Sequence, residues 1–225
     1  MVMKIKEIEY AISNELVSYQ DAIFLMEERV ESISSKKKPE LIWFLEHPPI
    51  YTAGTSANDS DLLKKDTFPV FNASRGGEYT YHGPGQRIVY VMLNIRERGY
   101  DIRTFVSTLE KWITDTLKDL GIDSFLIKEN VGVWVNNNKT SYSEEKIASI
   151  GLRVRKGITF HGVSLNISPN LKHFKGIVSC GNKDKGTTSL KKLGVNLSTK
   201  DIDKILLKNF KSNFHLNTSI TQIQS

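Results

Sequence analysis

The sequence predicts an α/β (α+β) fold in which helices cover a sheet of largely antiparallel neighbours. Three observations point to it. Two long segments carry apolar residues at three- and four-residue spacing, a series of short β-branched or apolar runs reads as strands, and the later runs are joined by turns too short for a parallel crossover. With 225 residues, 39% of them apolar, residues 1 to 225 suffice for one domain with a substantial core, and the polar stretch from about 212 to 225 reads as a flexible tail.

Taken in order, Leu16, Tyr19, Ile23, Met26, Val30 and Ile33 form one face of a first helix, which Lys36-Lys37-Lys38-Pro39 stops. Leu41-Ile42-Trp43-Phe44-Leu45 is short and continuously apolar, as a buried strand is, and His47-Pro48-Pro49 turns the chain into Ile50-Tyr51-Thr52. Residues 55 to 67 are polar and irregular, and residues 75 to 86 read as a long shaped loop. Residues 87 to 95 form a further strand. A second helix follows with Phe105, Leu109, Trp112, Ile113 and Leu117 in its stripe, Asp101 at its start and Gly121 at its end. Phe125 to Ile127, Val131 to Val135, Lys146 to Val154 and Gly157 to Ile167 are successive strands. Ser198 and Asp201, at capping-box spacing, open a last helix buried through Ile202, Ile205, Leu206 and Phe210.

The 31 Lys and Arg exceed the 25 Asp and Glu, giving a net charge of +6 that suits an acidic partner. The lysines are scattered through loops without a recognition motif, so no nucleic-acid partner is expected. One cysteine, Cys180, excludes an internal disulfide framework and fits a reducing compartment. The first residues are charged where a signal peptide is apolar, and no segment is apolar for long enough to span a bilayer. A cytoplasmic protein without a membrane partner is the expectation.

Chemistry concentrates in two stretches. The first, Arg75-Gly76-Gly77-Glu78-Tyr79-Thr80-Tyr81-His82-Gly83-Pro84-Gly85-Gln86, brings four glycines and a proline among an arginine and a histidine, a composition suited to close backbone approach to a ligand. It is followed by a strand, not a helix, and it lacks Gly-Lys-Ser/Thr, which excludes both dinucleotide and triphosphate loops. The second holds Cys180 between Ser179 and Gly181, among Lys172, Lys175, Lys183 and Lys185. A lone cysteine is as compatible with a small buried hydrophobe as with a nucleophile, but neighbouring ammonium groups favour thiolate. Candidate bases are His47, His82, His161 and the lysines, of which Lys146 stands at the head of the small-residue run Ile147-Ala148-Ser149-Ile150-Gly151.

Together, Arg75 to Gln86, Lys146 to Gly151, Thr159-Phe160-His161-Gly162 and Ser179-Cys180-Gly181 resemble the lipoyl(octanoyl) transferase family of the biotin/lipoate protein ligase superfamily, over nearly the whole chain. The resemblance implies a mixed, largely antiparallel sheet with packed helices. It also implies transfer of an octanoyl group from octanoyl-acyl carrier protein, through a cysteine thioester, to a lysine of a lipoyl domain. Acceptors would be the lipoyl domains of 2-oxoacid dehydrogenase complexes and the glycine cleavage H protein. By matching positions Cys180 would be the nucleophile and Lys146 the group that depresses its pKa. Arg75, Gly76, Gly77, Glu78, Tyr79, Thr80, Tyr81 and His82, with Ser149, Ile150, Gly151, Gly162, Val163 and Ser164, would line the acyl site. No cofactor or metal is implied. Ser179 stands where the family pattern has proline. Tyr79, Tyr81, Ile150, Phe160 and Val163 are candidates for the apolar slot. The competing reading is an ATP- and magnesium-dependent lipoate or biotin protein ligase, against which Cys180 argues, since adenylation needs no thiolate.

Overall fold

The computed structural model describes residues 8–136, 143–178, 185–214 and 220–223. The sheet that carries the molecule begins with two parallel strands, β1 (Ile8–Leu16) and β2 (Glu40–Glu46), joined by helix α1 (Tyr19–Ser34). Ser18 starts α1 by accepting a hydrogen bond from the Asp21 backbone N–H. At its other end the Lys36 and Lys37 N–H groups reach back to the carbonyls of Ile33 and Ser32. Lys36 takes a φ of 59° to do so, so the lysine run does stop the helix, in the geometry glycine usually supplies. Leu16 belongs to β1 and not to the helix, because the serine cap, and not the apolar spacing, sets the start of α1.

β6 (Gln86–Met92) pairs antiparallel with β2, and β10 (Ile158–Asn166) then lies between β6 and β9 (Glu144–Arg155). β8 (Asn130–Asn136) and β7 (Phe125–Ile127) complete that side. The short β11 (Gly186–Thr187) runs parallel to β9, and β12 (Ile220–Ile223) runs parallel to β1. The expected tail from about 212 to 225 is therefore corrected in part. Residues 212 and 213 end α3 (Thr199–Asn213), Phe214 is buried, and 220 to 223 form a strand, since the open edge of β1 offers backbone partners that polar sequence does not disclose.

β2 shows why its sequence is continuously apolar: both faces are covered. Leu41, Trp43 and Leu45 pack with Ala22, Met26 and Val30 of α1, while Ile42 and Phe44 face α2 (Ile102–Asp119) and α3. Asp101 caps α2 by accepting from the Thr104 N–H, and Gly121, at φ 74°, ends it. A second, three-stranded sheet stands apart, with β3 (Ile50–Ala53) between β4 (Val70–Asn72) and β5 (Tyr79–His82). The glycine-rich block is thus not one long loop. Its centre is β5, because Thr52 and its neighbours on β3 offer an antiparallel partner that local composition hides. No helix among the described residues is long and apolar enough to cross a membrane.

One buried ion pair fastens α3 to the sheet: Arg87 Nε and Nη2 donate to the two Asp203 carboxylate oxygens at 2.8 and 2.6 Å. Burial raises the Asp203 carboxyl above its usual range, against the pull of Arg87. Asp203→Ala should lower unfolding free energy by about 3–5 kcal/mol, because it leaves the guanidinium buried and unpaired, while Arg87→Met with Asp203→Leu should recover most of that loss. Urea denaturation of the three proteins measures both; equal losses in single and double variants would contradict the account.

Candidate active site

Where β5 and the turn before it meet β6, β9 and β10, a cleft of about 290 Å³ opens, and it gathers most of the residues the sequence singled out. Arg75, Gly76, Gly77, Glu78, Tyr79, Thr80 and His82 form one wall; Lys146, Ser149, Ile150, Gly151, Gly162, Val163 and Ser164 form the other. The β9–β10 register sets Gly151 opposite Gly162 and Ser149 opposite Ser164, and the first wall, some seventy residues earlier, joins them where the Gly76 N–H donates to the Leu152 carbonyl at 3.0 Å.

Arg75 is a buried strut. Its Nη2 donates to the Thr52 carbonyl at 2.9 Å and the Thr52 hydroxyl at 2.7 Å, and its Nη1 to the Gly76 carbonyl at 3.1 Å. Space for it comes from glycine, since a Cβ on Gly151 would stand 2.7 Å from Arg75 Cδ and one on Gly54 2.6 Å from Nη1.

Lys146, expected at the mouth of a strand, is buried to 5% exposure. Its Nζ donates to the Val131 carbonyl at 3.1 Å and to Asn130 Oδ1 at 3.4 Å, and lies 4.6 Å from the centre of the Trp134 ring. These partners are neutral, so no carboxylate among them spends the ammonium charge. Of the acidic side chains in this region, Glu144 pairs with Lys185 and Glu145 with Lys192 at 2.7 Å, while Glu129 lines the same cleft as Lys146.

Two expectations are corrected. Tyr81 does not line the cleft: its ring packs with Tyr51, Phe68 and Phe174, and its hydroxyl lies 2.8 Å from His173 Nδ1. Phe160 joins the core under α1. Cys180, with Ser179 and Gly181, lies outside the described residues. The chain on either side of the cysteine segment is anchored. The Val178 N–H donates to the Asp61 carbonyl at 2.7 Å, while Thr187 pairs with Lys146 and the Thr188 N–H donates to the Lys146 carbonyl at 3.0 Å.

Other lining groups escaped sequence reasoning. Tyr19 and Tyr90 reach the cleft from α1 and β6, and with His47 and His82 they form a ring cluster in which the other three centroids lie 5.6 to 5.8 Å from that of His47. His47 Nδ1 donates to the Val17 carbonyl at 2.7 Å, so its Nε2 accepts from the Tyr90 hydroxyl at 2.7 Å. His161 stands at a φ of 60°. Tyr19 Oη, Glu78 Oε2, Thr80 Oγ1 and His161 Nε2 are buried in the walls without a hydrogen-bond partner among the described residues. Burial is the main cause that pushes His47 down to about 4 and His82 and His161 down to about 3. It likewise pushes Tyr19 up to about 12 and holds the Tyr90 phenol well above its ordinary range. At neutral pH the cluster is uncharged. Gly132 had a readable signal, a glycine inside a strand pattern, which marks a close approach.

A model of the lipoyl protein ligase A/B catalytic domain matches residues 18–211. The chain belongs to the lipoyl protein ligase A/B catalytic-domain family. It is 50% identical over 208 residues to an octanoyltransferase of Ehrlichia chaffeensis, covering 92% of this chain and 96% of that one. It is 49% identical over 212 residues to an octanoyltransferase of Dinoroseobacter shibae, with the same coverage. Among solved structures, a bipartite lipoate protein ligase of an archaeal lipoylation system from Thermoplasma acidophilum superposes with a TM-score of 0.68 at 17% identity, over 97% of this chain and 88% of that one. That likeness bears on the fold alone, and it agrees with the ligase-like fold the family resemblance implied.

Two outcomes follow from this geometry. A Cβ on Gly132 would lie 2.7 Å from the Ala148 carbonyl oxygen and 3.4 Å from Lys146 Nζ, at a φ of 129°. Gly132→Ala should therefore cost about 1–3 kcal/mol and reduce activity together with any function of Lys146, measured by urea midpoint and turnover. The second concerns acid. His47, His82 and His161 take up protons at about 6.5 in the unfolded chain but only at about 4, 3 and 3 when folded. Their stability contribution is complete above pH ~6.5 and is lost as pH falls toward those lower values, each group adding at most about 1.4 kcal/mol per pH unit to the slope. Urea titrations from neutral pH downward should show that slope, shallower in His161→Asn, whose side chain tolerates the left-handed backbone; identical slopes would remove His161 from the account.

Proposed function

We propose that the chain is an octanoyltransferase of protein lipoylation that moves an octanoyl group from octanoyl-acyl carrier protein to a lysine ε-amine of a lipoyl domain, through a thioester on Cys180. Supporting the activity is the near-50% identity to octanoyltransferases over almost the whole chain. The observation that carries the mechanism is the Lys146 ammonium, buried in the cleft wall among neutral partners and paired through β9 with the strand just after the cysteine segment.

In the first half-reaction the Cys180 thiolate attacks the donor thioester carbonyl, a C–S bond forms to Cys180, and the bond to the carrier's pantetheine sulfur breaks. The departing thiolate takes a proton. In the second, the acceptor amine attacks the enzyme thioester, loses a proton and forms an amide, and Cys180 leaves as thiolate. A free thiol titrates near ~8.5, so an ammonium beside it raises the thiolate fraction at neutral pH. The same amine serves as the proton carrier in both halves. One thioester is exchanged for another and then for a more stable amide, so the sequence needs no nucleotide. Backbone N–H groups of the glycine-bearing walls are the candidates for holding the oxyanion. Ile88, Ile150, Val131 and Val163 provide the apolar part of the acyl site, and the wall from Arg75 to Thr80, with His82, provides the polar part. The lipoyl domains of 2-oxoacid dehydrogenase complexes and the glycine cleavage H protein are the proposed acceptors.

Intact-mass analysis after mixing with octanoyl-acyl carrier protein, without nucleotide, should show one octanoyl adduct that is absent from Cys180→Ser; product appearing only with ATP would establish a ligase instead. Lys146→Met should slow both half-reactions by about 10²–10⁴-fold. Lys146→Arg should retain part of the thiol's reactivity toward a small alkylating agent while failing in transfer, because guanidinium keeps its proton. An unchanged alkylation pH profile in Lys146→Met would remove Lys146 from the chemistry.

A further inference from the structure

Beneath the cleft, four buried residues form a chain of hydrogen bonds that runs in one direction. Asn166 Nδ2 donates to the Thr188 carbonyl at 2.9 Å, Gln86 Nε2 donates to Asn166 Oδ1 at 2.9 Å, and His82 Nδ1 lies 2.7 Å from Gln86 Oε1. His82, Gln86, Asn166 and Thr188 are 8, 2, 4 and 0% exposed, so water offers these groups little alternative. Gln86 and Asn166 face each other in the β6–β10 register, which holds the two amides side by side.

The direction is forced from one end. A backbone carbonyl only accepts, so Asn166 must present its NH₂ to Thr188 and its oxygen to Gln86; Gln86 must then present its NH₂ to Asn166 and its oxygen to His82. An oxygen facing His82 Nδ1 demands a proton there. We propose that Gln86 and Asn166 are positioning residues that fix His82 as the Nδ1–H tautomer, leaving Nε2 a bare acceptor at the cleft wall, and that tie this ring to the strand following the cysteine segment. Thr188 is the junction: its carbonyl ends the amide chain while its N–H is bonded to the Lys146 carbonyl. The relay therefore sets one wall of the cleft against the backbone of Lys146 and the return strand of the cysteine segment. Neither amide lines the cleft, so both act through others.

The role in turnover rests on the acyl-transfer reading of this cleft, but the tautomer does not, and it is measured first. In protein labelled with ¹⁵N-histidine, the His82 resonances, assigned by their loss in His82→Asn, should show a protonated Nδ1 and a bare Nε2 between about pH 6 and 8. Asn166→Leu removes the group that orients Gln86 without touching His82, so Gln86 is free to reverse and the Nε2–H form should appear. Gln86→Met should give the same mixture by removing the acceptor itself. Both variants should lose about ten- to a hundredfold in kcat, the scale on which outer orienting hydrogen bonds act, with KM for octanoyl-acyl carrier protein changed less. A wild-type ring protonated on Nε2 would overturn the proposal, and so would wild-type tautomer or wild-type kcat in the variants. Should both variants fail to fold, the wild-type spectrum still decides the tautomer. A predicted tautomer alongside a missing octanoyl adduct would count against the transfer reading and not against the relay.

Discussion

The approach of β6, β9 and β10 is the constraint on which the site depends. A Cβ on Gly162 would stand 2.1 Å from the Val89 carbonyl oxygen, so glycine there lets β10 lie against β6 at full pairing distance. Once that contact is made, the β9–β10 register brings Lys146, Ser149 and Gly151 to the same opening as His161 and Ser164. Glycines serve chiefly to make room for other protein groups: Gly151 and Gly54 for the Arg75 side chain, Gly132 for Lys146.

The cleft is more polar than an acyl chain alone requires. Tyr19, Tyr90, His82 and His161 line it beside Ile88, Ile150 and Val163, and the Arg75 guanidinium is spent on Thr52 and Gly76 as a brace between wall and second sheet. Burial keeps the imidazoles neutral and the phenols protonated, so the cluster places hydrogen-bonding groups around the opening without placing charge there. Lys146 is the contrast, a cation given carbonyl, amide and indole partners in place of a carboxylate.

Much of the fold was legible in the chain. Period and caps sufficed for α2 and α3, since Asp101, Gly121 and Ser198 act through their immediate neighbours, and short turns sufficed for the antiparallel run from β8 to β10. Most of the residues that line the cleft stood out as motifs, because glycines crowding around arginine, histidine and lysine have few purely local explanations. Less legible were elements whose partners are distant. β5 was hidden by the glycines on either side of it, β12 by polar composition, and Leu16 fell into the wrong element because its spacing continued that of the helix.

By itself, then, the sequence determined the local elements and the inventory of chemical groups, since periodicity, capping and turn formation act over a few residues. Tertiary structure alone decided which groups meet and in what state. It kept Tyr81 out of the cleft, because its ring packs with Tyr51, Phe68 and Phe174 and its hydroxyl meets His173. It buried Lys146 against Trp134 and Val131, which no reading of a strand's first residues distinguishes from a solvated lysine. And it joined His82 to Thr188 through Gln86 and Asn166, four residues spread over more than a hundred positions, whose hydrogen-bond direction exists only once β6 and β10 lie side by side.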